Sequence, residues 1–119
     1  MKSKKLPMRD GVGVIILNKN NHVFVAKRKD NPIDKWQMPQ GGVNLGESYL
    51  SAMKRELFEE TSIKSIEVLR EIEGFFEYHL PERLIGIIWK GKFKGQKQKW
   101  YIAKFIGKEE EINLNTKNP

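Results

Sequence analysis

One stretch of this chain carries the periodicity of an amphipathic helix, and it limits the folds open to everything around it. From Ser48 to Glu60, Leu50, Met53 and Leu57 recur at i, i+3 and i+7, which gives a single apolar stripe. Glu47 and Ser48 suit its start, because a hydroxyl caps free N–H groups there and a carboxylate favours the positive end of the helix dipole. The flanks read differently. Gly11–Leu17 is a buried strand by its β-branched run, Asn18–Asn21 a turn, and His22–Lys27 alternates as a hairpin partner. Lys29–Lys35 reads as a polar loop and Trp36–Gly46 as irregular chain with Pro39 and three glycines. Further strands are expected near Ile66–Ile72, Phe75–Leu80, Leu84–Trp89 and Trp100–Phe105, with a basic turn at Gly95–Lys99. The polar tail Gly107–Pro119 should hold little helix. Strands about one strong helix make an α+β domain. With no repeat, low-complexity tract or linker, residues 1–119 read as one domain.

Composition narrows the chemistry. The chain has no cysteine, so disulfides, zinc–thiolate sites and thiol nucleophiles are excluded. Its two histidines, His22 and His79, cannot build a zinc site alone. His22 is expected on the surface, and His79 in an exposed or hydrogen-bonding position. A resident metal should be a hard ion held by oxygen, which favours Mg²⁺ or Mn²⁺. No apolar run approaches the ~20 residues of a membrane span, and no apolar stretch follows the basic start Met1-Lys2-Ser3-Lys4-Lys5 as a secretory signal would. The expectation is a cytoplasmic protein with no membrane contact and no obligate protein partner. A net charge of +7 points to a polyanionic ligand, with lysines concentrated at Lys27–Lys29 (around Arg28) and at Lys90–Lys99. Charge on a strand edge also protects against aggregation, so the second cluster has two readings.

The sharpest signal is acidic. Glu56, Glu59 and Glu60 are spaced three and four residues apart, which puts them on one side of the predicted helix. Alone, such a pattern is more often a solvated acidic face. The flanks change that balance. From Gly41 to Ile63 the chain reads GGVNLGESYLSAMKRELFEETSI. This resembles the Nudix box, G-x5-E-x7-R-E-U-x-E-E-x-G-U, at every fixed position except Ser62, where the family has glycine. A non-glycine residue in a left-handed helix cap costs about 1 kcal/mol. The resemblance implies a hydrolase of phosphoanhydride bonds. Glu56, Glu59 and Glu60 would hold Mg²⁺ or Mn²⁺ and carry catalysis, the Gly41 carbonyl would add a ligand, and Glu47 with Arg55 would form a structural ion pair. Water attacks phosphorus in such chemistry, so no protein nucleophile is required.

The likeness extends along nearly the whole chain. Trp36-Gln37-Met38-Pro39-Gln40-Gly41-Gly42 is similar to the WQ-x-PQGG entry of bacterial RNA pyrophosphohydrolases, also described as dinucleoside polyphosphate hydrolases. Arg9, Val12 and Gly13 fit that family's YRPNVG start, and Tyr78-His79-Leu80-Pro81, Gly95–Trp100 and Glu111-Ile112-Asn113 resemble later segments. The resemblance implies 5′-triphosphorylated RNA or a nucleoside polyphosphate as substrate. It places Arg9, Arg28, Lys35 and Trp36 at the substrate, Trp36 having a packing role as its alternative. It adds Gln40 and Tyr78, then Gln96, Lys97 and Lys99 on a groove-lining loop. Trp89 and Trp100 are expected in the core. Three functions follow: RNA 5′ pyrophosphohydrolase, dinucleoside polyphosphate or other nucleoside diphosphate-linked hydrolase, and a feebly active polyphosphate- or RNA-binding module. The family fold is an α/β/α sandwich, a mixed sheet flanked by helices. Its PEF-like segment, with a further glutamate, and its closing helix would lie past Pro119, so reduced stability and activity are expected of the chain as it stands.

Overall fold

The computed structural model describes residues 6–27 and 36–114. Its spine is a pair of long strands, β1 (Met8–Leu17) and β7 (Gly95–Phe105). They lie parallel in an unbroken register from Met8 opposite Gly95 to Leu17 opposite Lys104. Parallel strands need a crossover, and the whole intervening chain provides it. Along β1 the β-branched Val12, Val14 and Ile16 point to one face and are fully buried. Tyr101 and Ala103 of β7 point the same way.

The helix α1 (Tyr49–Thr61) covers that face. Ser48 caps it, accepting a hydrogen bond from the Ser51 N–H at 3.1 Å. The buried side of α1 is Ala52, Met53, Leu57 and Thr61. Leu50, expected on that stripe, is 40% exposed. The buried stripe thus runs through Ala52 rather than Leu50, leaving Leu50 at the edge of the covered face. At its far end Ser62 adopts φ 64°, ψ 11°, the left-handed cap conformation, and its N–H reaches the Phe58 carbonyl at 2.7 Å.

The remaining strands are β2 (Ala26–Lys27), β3 (Trp36–Gln37), β4 (Gln40–Gly42), β5 (Ile66–Glu71) and β6 (Phe76–His79). The main sheet runs β4-β1-β7-β5, and β6 also pairs with β7. Strand β7 shares its outer edge, giving β6 the stretch Gly95–Gln98 and β5 the stretch Tyr101–Phe105. All pairings except β1·β7 are antiparallel, so the sheet is mixed. The short β2·β3 ribbon stands apart from it.

Four expectations change. Gly95–Lys99 is no turn: it opens β7, hydrogen-bonded to β1 on one side and β6 on the other. The hairpin expected at His22–Lys27 shrinks to one bridge, Leu17 to Val23, before Ala26–Lys27 pairs with Trp36–Gln37. Leu84–Trp89 forms no strand. The segment satisfies its backbone locally instead, in 3₁₀ turns at Glu82–Leu84 and Ile88–Gly91. Trp89 and Trp100 are half-buried and lie outside the core. Among the described residues α1 is the one α-helix, and no helix is long and apolar enough to cross a membrane. Among the described residues of the tail there is one 3₁₀ turn, Glu109–Glu111.

Candidate active site

Strand β4 carries the site to the helix. Its pairing sets Gly42 opposite Gly11, Gly41 opposite Val12 and Gln40 opposite Gly13. Gly41 thereby lies directly against the Glu56 side chain, so close that a Cβ at Gly41 would collide with the carboxyl group. The absence of a side chain at Gly41 is what leaves room for the carboxyl in this position. From there the chain passes through Asn44, whose N–H donates to Glu47 Oε1 at 3.0 Å, and turns into α1.

Arg55 organises what gathers at this seam. Its Nε donates to Glu47 Oε2 at 2.8 Å and its Nη2 to Glu47 Oε1 at 3.0 Å, a two-pronged pairing that matches the guanidinium fork. Nη2 also donates to the Gly42 carbonyl at 2.8 Å. Nη1 donates to Glu56 Oε1 at 2.9 Å and to Glu59 Oε1 at 2.8 Å. One cation thus ties the entry loop, β4 and two helical carboxylates together. Its partners, Glu47 first, hold the guanidinium proton more firmly than usual. Glu47 is correspondingly held below the ordinary carboxylate range by Arg55 and by the Asn44 N–H. Glu56 goes the other way: burial pushes its carboxyl up, and Arg55 only partly offsets this. Glu60 turns toward β4, accepting the Gln40 N–H at 3.2 Å.

Glu56, Glu59, Glu60 and Gly41 therefore line one seam between β4 and α1. Among the described residues no three acidic or histidine side chains converge on a common point in this arrangement, in which Arg55 holds Glu56 and Glu59. The donor chemistry suits a hard divalent ion, because the seam offers only oxygen.

The expected substrate residues divide by face. Arg9 lies on the sheet face turned away from α1. Its guanidinium stands 5.1 Å from the Trp89 ring centroid and beside Gly42, and its pKa is lowered by burial against the opposing pull of Glu56. Gln40 and Gln96 share that face, joined through Gln98. Tyr78, opposite Gln96 in register, is exposed. Lys97 and Lys99 do not join them. Alternation along β7 sends both to the helix side, where their ammonium groups sit 4.8 and 4.9 Å from the Phe75 ring centroid. Lys99 also donates to the Gly74 carbonyl at 3.1 Å and lies 3.7 Å from Glu71. Arg28, Lys35 and the Trp36 side chain lie outside the described residues. Reasoning from sequence passed over Gln98 and Trp100. The signal was available in Gln96, Gln98 and Trp100 at i, i+2 and i+4, the period of one strand face. A separate cavity of about 740 Å³ at the far end of β1, lined by Val23, Phe24, Phe105 and Ile112 among others, includes none of the seam carboxylates.

Comparison with known proteins gives the family and the fold. The model of the NUDIX domain matches residues 7–118. The RNA pyrophosphohydrolase of Pelagibacter ubique (strain HTCC1062) is 59% identical over 114 residues, which cover 96% of this chain and 72% of that protein. The RNA pyrophosphohydrolase of Orientia tsutsugamushi (strain Boryong) is 45% identical over 96% of this chain and 71% of its own length. Among solved structures, the E. coli dihydroneopterin triphosphate pyrophosphohydrolase superposes with a TM-score of 0.73 at 22% identity, covering 94% of this chain and 78% of that one. At that identity it speaks for the fold alone.

Proposed function

Because this chain belongs to the NUDIX domain family, we propose that it removes pyrophosphate from the 5′ end of triphosphorylated RNA, leaving a 5′ monophosphate. The observation that carries the substrate is the 59% identity to an RNA pyrophosphohydrolase across 96% of the chain. In the reaction a water oxygen bonds to phosphorus, the anhydride bond breaks, and pyrophosphate leaves with the bonding electrons. Glu56, Glu59, Glu60 and the Gly41 carbonyl would hold Mg²⁺ or Mn²⁺, which when bound neutralises phosphate charge and lowers the pKa of water.

The remaining work falls to the chain itself. Arg55 keeps Glu56 and Glu59 aligned while bracing the entry loop through Glu47 and Gly42. Arg55 keeps both carboxylates beside β4, and their convergence on an ion would exchange part of these Arg55 contacts for metal contacts. Arg9 offers a cation beside the seam for phosphate. The amides of Gln40 and Gln96 and the exposed Tyr78 ring provide polar and stacking contacts on the same sheet face.

The test compares pyrophosphate and phosphate release from triphosphorylated RNA, diadenosine tetraphosphate and nucleoside triphosphates, each with and without excess chelator. The highest kcat/KM is expected for RNA, abolished by the chelator. A clear preference for diadenosine tetraphosphate overturns the RNA reading, and full turnover in chelator overturns the metal reading.

A further inference from the structure

On the sheet face turned away from α1, four side chains form one directed hydrogen-bonded chain. The Trp100 indole Nε1–H donates to Gln98 Oε1 at 2.9 Å. Gln98 Nε2 donates to Gln40 Oε1 at 2.9 Å and to Gln96 Oε1 at 2.6 Å. The direction follows from chemistry. An indole N–H can only donate, so it draws the oxygen of Gln98 toward itself. The Gln98 NH₂ then faces its two neighbours, and each must turn its oxygen inward to accept. The NH₂ groups of Gln40 and Gln96 are thereby turned away from Gln98.

The backbone below is built for this chain. Gly11 and Gly13 sit on the same face of β1, and a Cβ at either would collide, with the Gln96 amide in the first case and the Trp100 ring in the second. The arrangement also reaches the seam, since the backbone N–H of Gln40 donates to Glu60 at 3.2 Å.

We propose that Trp100 and Gln98 are positioning residues that fix the polarity of the Gln40 and Gln96 amides, so that both offer N–H donors to oxygen acceptors of the substrate's 5′ end. The inference rests on the RNA reading above for the identity of those acceptors. A glutamine left to itself can present either its oxygen or its NH₂, and half of those presentations would set an oxygen against a phosphate or carbonyl oxygen. The indole removes that ambiguity from three residues at once, without touching substrate.

The experiment uses Trp100→Phe, which keeps a ring over Gly13 and deletes the N–H, and Gln98→Leu, which removes the central amide. Two readouts are taken: the side-chain amide NMR resonances of Gln40 and Gln96 in the free protein, and kcat and KM with triphosphorylated RNA. Both variants should shift the two amide signals and raise KM about fivefold, the scale of one net hydrogen bond, with kcat nearly unchanged. Unmoved amide signals overturn the proposal whatever the kinetics, and so does a loss confined to kcat. Should Trp100→Phe fail to fold, Gln98→Leu carries the same two readouts. A wild-type protein inert toward triphosphorylated RNA, whose amides still shift in the variants, overturns the substrate reading and leaves the polarity relay standing.

Discussion

At Ser62 the backbone sits at φ 64°, a conformation that glycine adopts without steric cost. Ser62→Gly should therefore raise stability by about 1 kcal/mol, the difference between a glycine and a non-glycine residue in a left-handed cap. Denaturant unfolding at unchanged m-value checks it, and a lower midpoint would show that the serine side chain contributes something the strain argument misses. The carboxylates are a matter of charge. Glu59→Gln and Glu60→Gln keep shape and lose charge, so each should lower turnover at least ~10³-fold, about 4 kcal/mol of transition-state stabilisation. A folded variant with normal turnover would remove that glutamate from the site. These residues were legible in sequence because their relation is local: spacing along one helix fixes which side chains are neighbours. Gln96, Lys97 and Lys99 show where locality misleads. Adjacent in sequence, they are sent to opposite faces of β7, and only Gln96 reaches the Gln40 side.

Among the elements, the turn Glu109–Glu111 has a fastening role. Glu111 Oε2 accepts the N–H groups of Lys64 and Ser65 at 2.6 and 2.7 Å, and Oε1 accepts the Ser65 hydroxyl at 2.7 Å. The tail is thus fastened to the chain just beyond α1. The Ser65 hydroxyl, then the two backbone N–H groups, hold this carboxyl below its ordinary value of 4.5. A depressed folded pKa means stability that is present above the unfolded value and is lost as pH falls through the folded one. Glu111→Gln should consequently lower the melting temperature at neutral pH, with the gap to wild type closing in acid. A gap that persists at the lowest pH would assign the effect to packing. Helix α1 and strand β1 could be read from periodicity because each has one buried face, whereas β5 and β6 are almost wholly exposed and owe their place to pairing with β7. The segment Leu84–Trp89 has the composition of a strand and forms none. Composition says that a segment can be a strand, and whether it pairs is decided by the assembled fold, where this one closes 3₁₀ turns instead.

For the molecule as a whole, the charge of +7 has a measurable consequence. Affinity for triphosphorylated RNA should fall steeply with salt, because each neutralised phosphate releases counterions. Arg9→Ala should reduce the slope of log affinity against log salt by about one. Lys97→Ala, whose ammonium group faces Phe75 on the helix side, should leave it unchanged. Equal effects from the two would mean that Lys97 also meets the substrate. The topology has a consequence for biosynthesis. Strand β1 has two neighbours, the three-residue β4 and the distant β7, and only β7 spans its length. On the ribosome its apolar run Val12–Ile16 emerges early and waits until the sequence through Phe105 is made, several seconds at roughly 5–20 residues per second. During that interval the apolar β1 run lacks the partner that later spans it, and an unpaired strand of this kind is open to pairing with other chains.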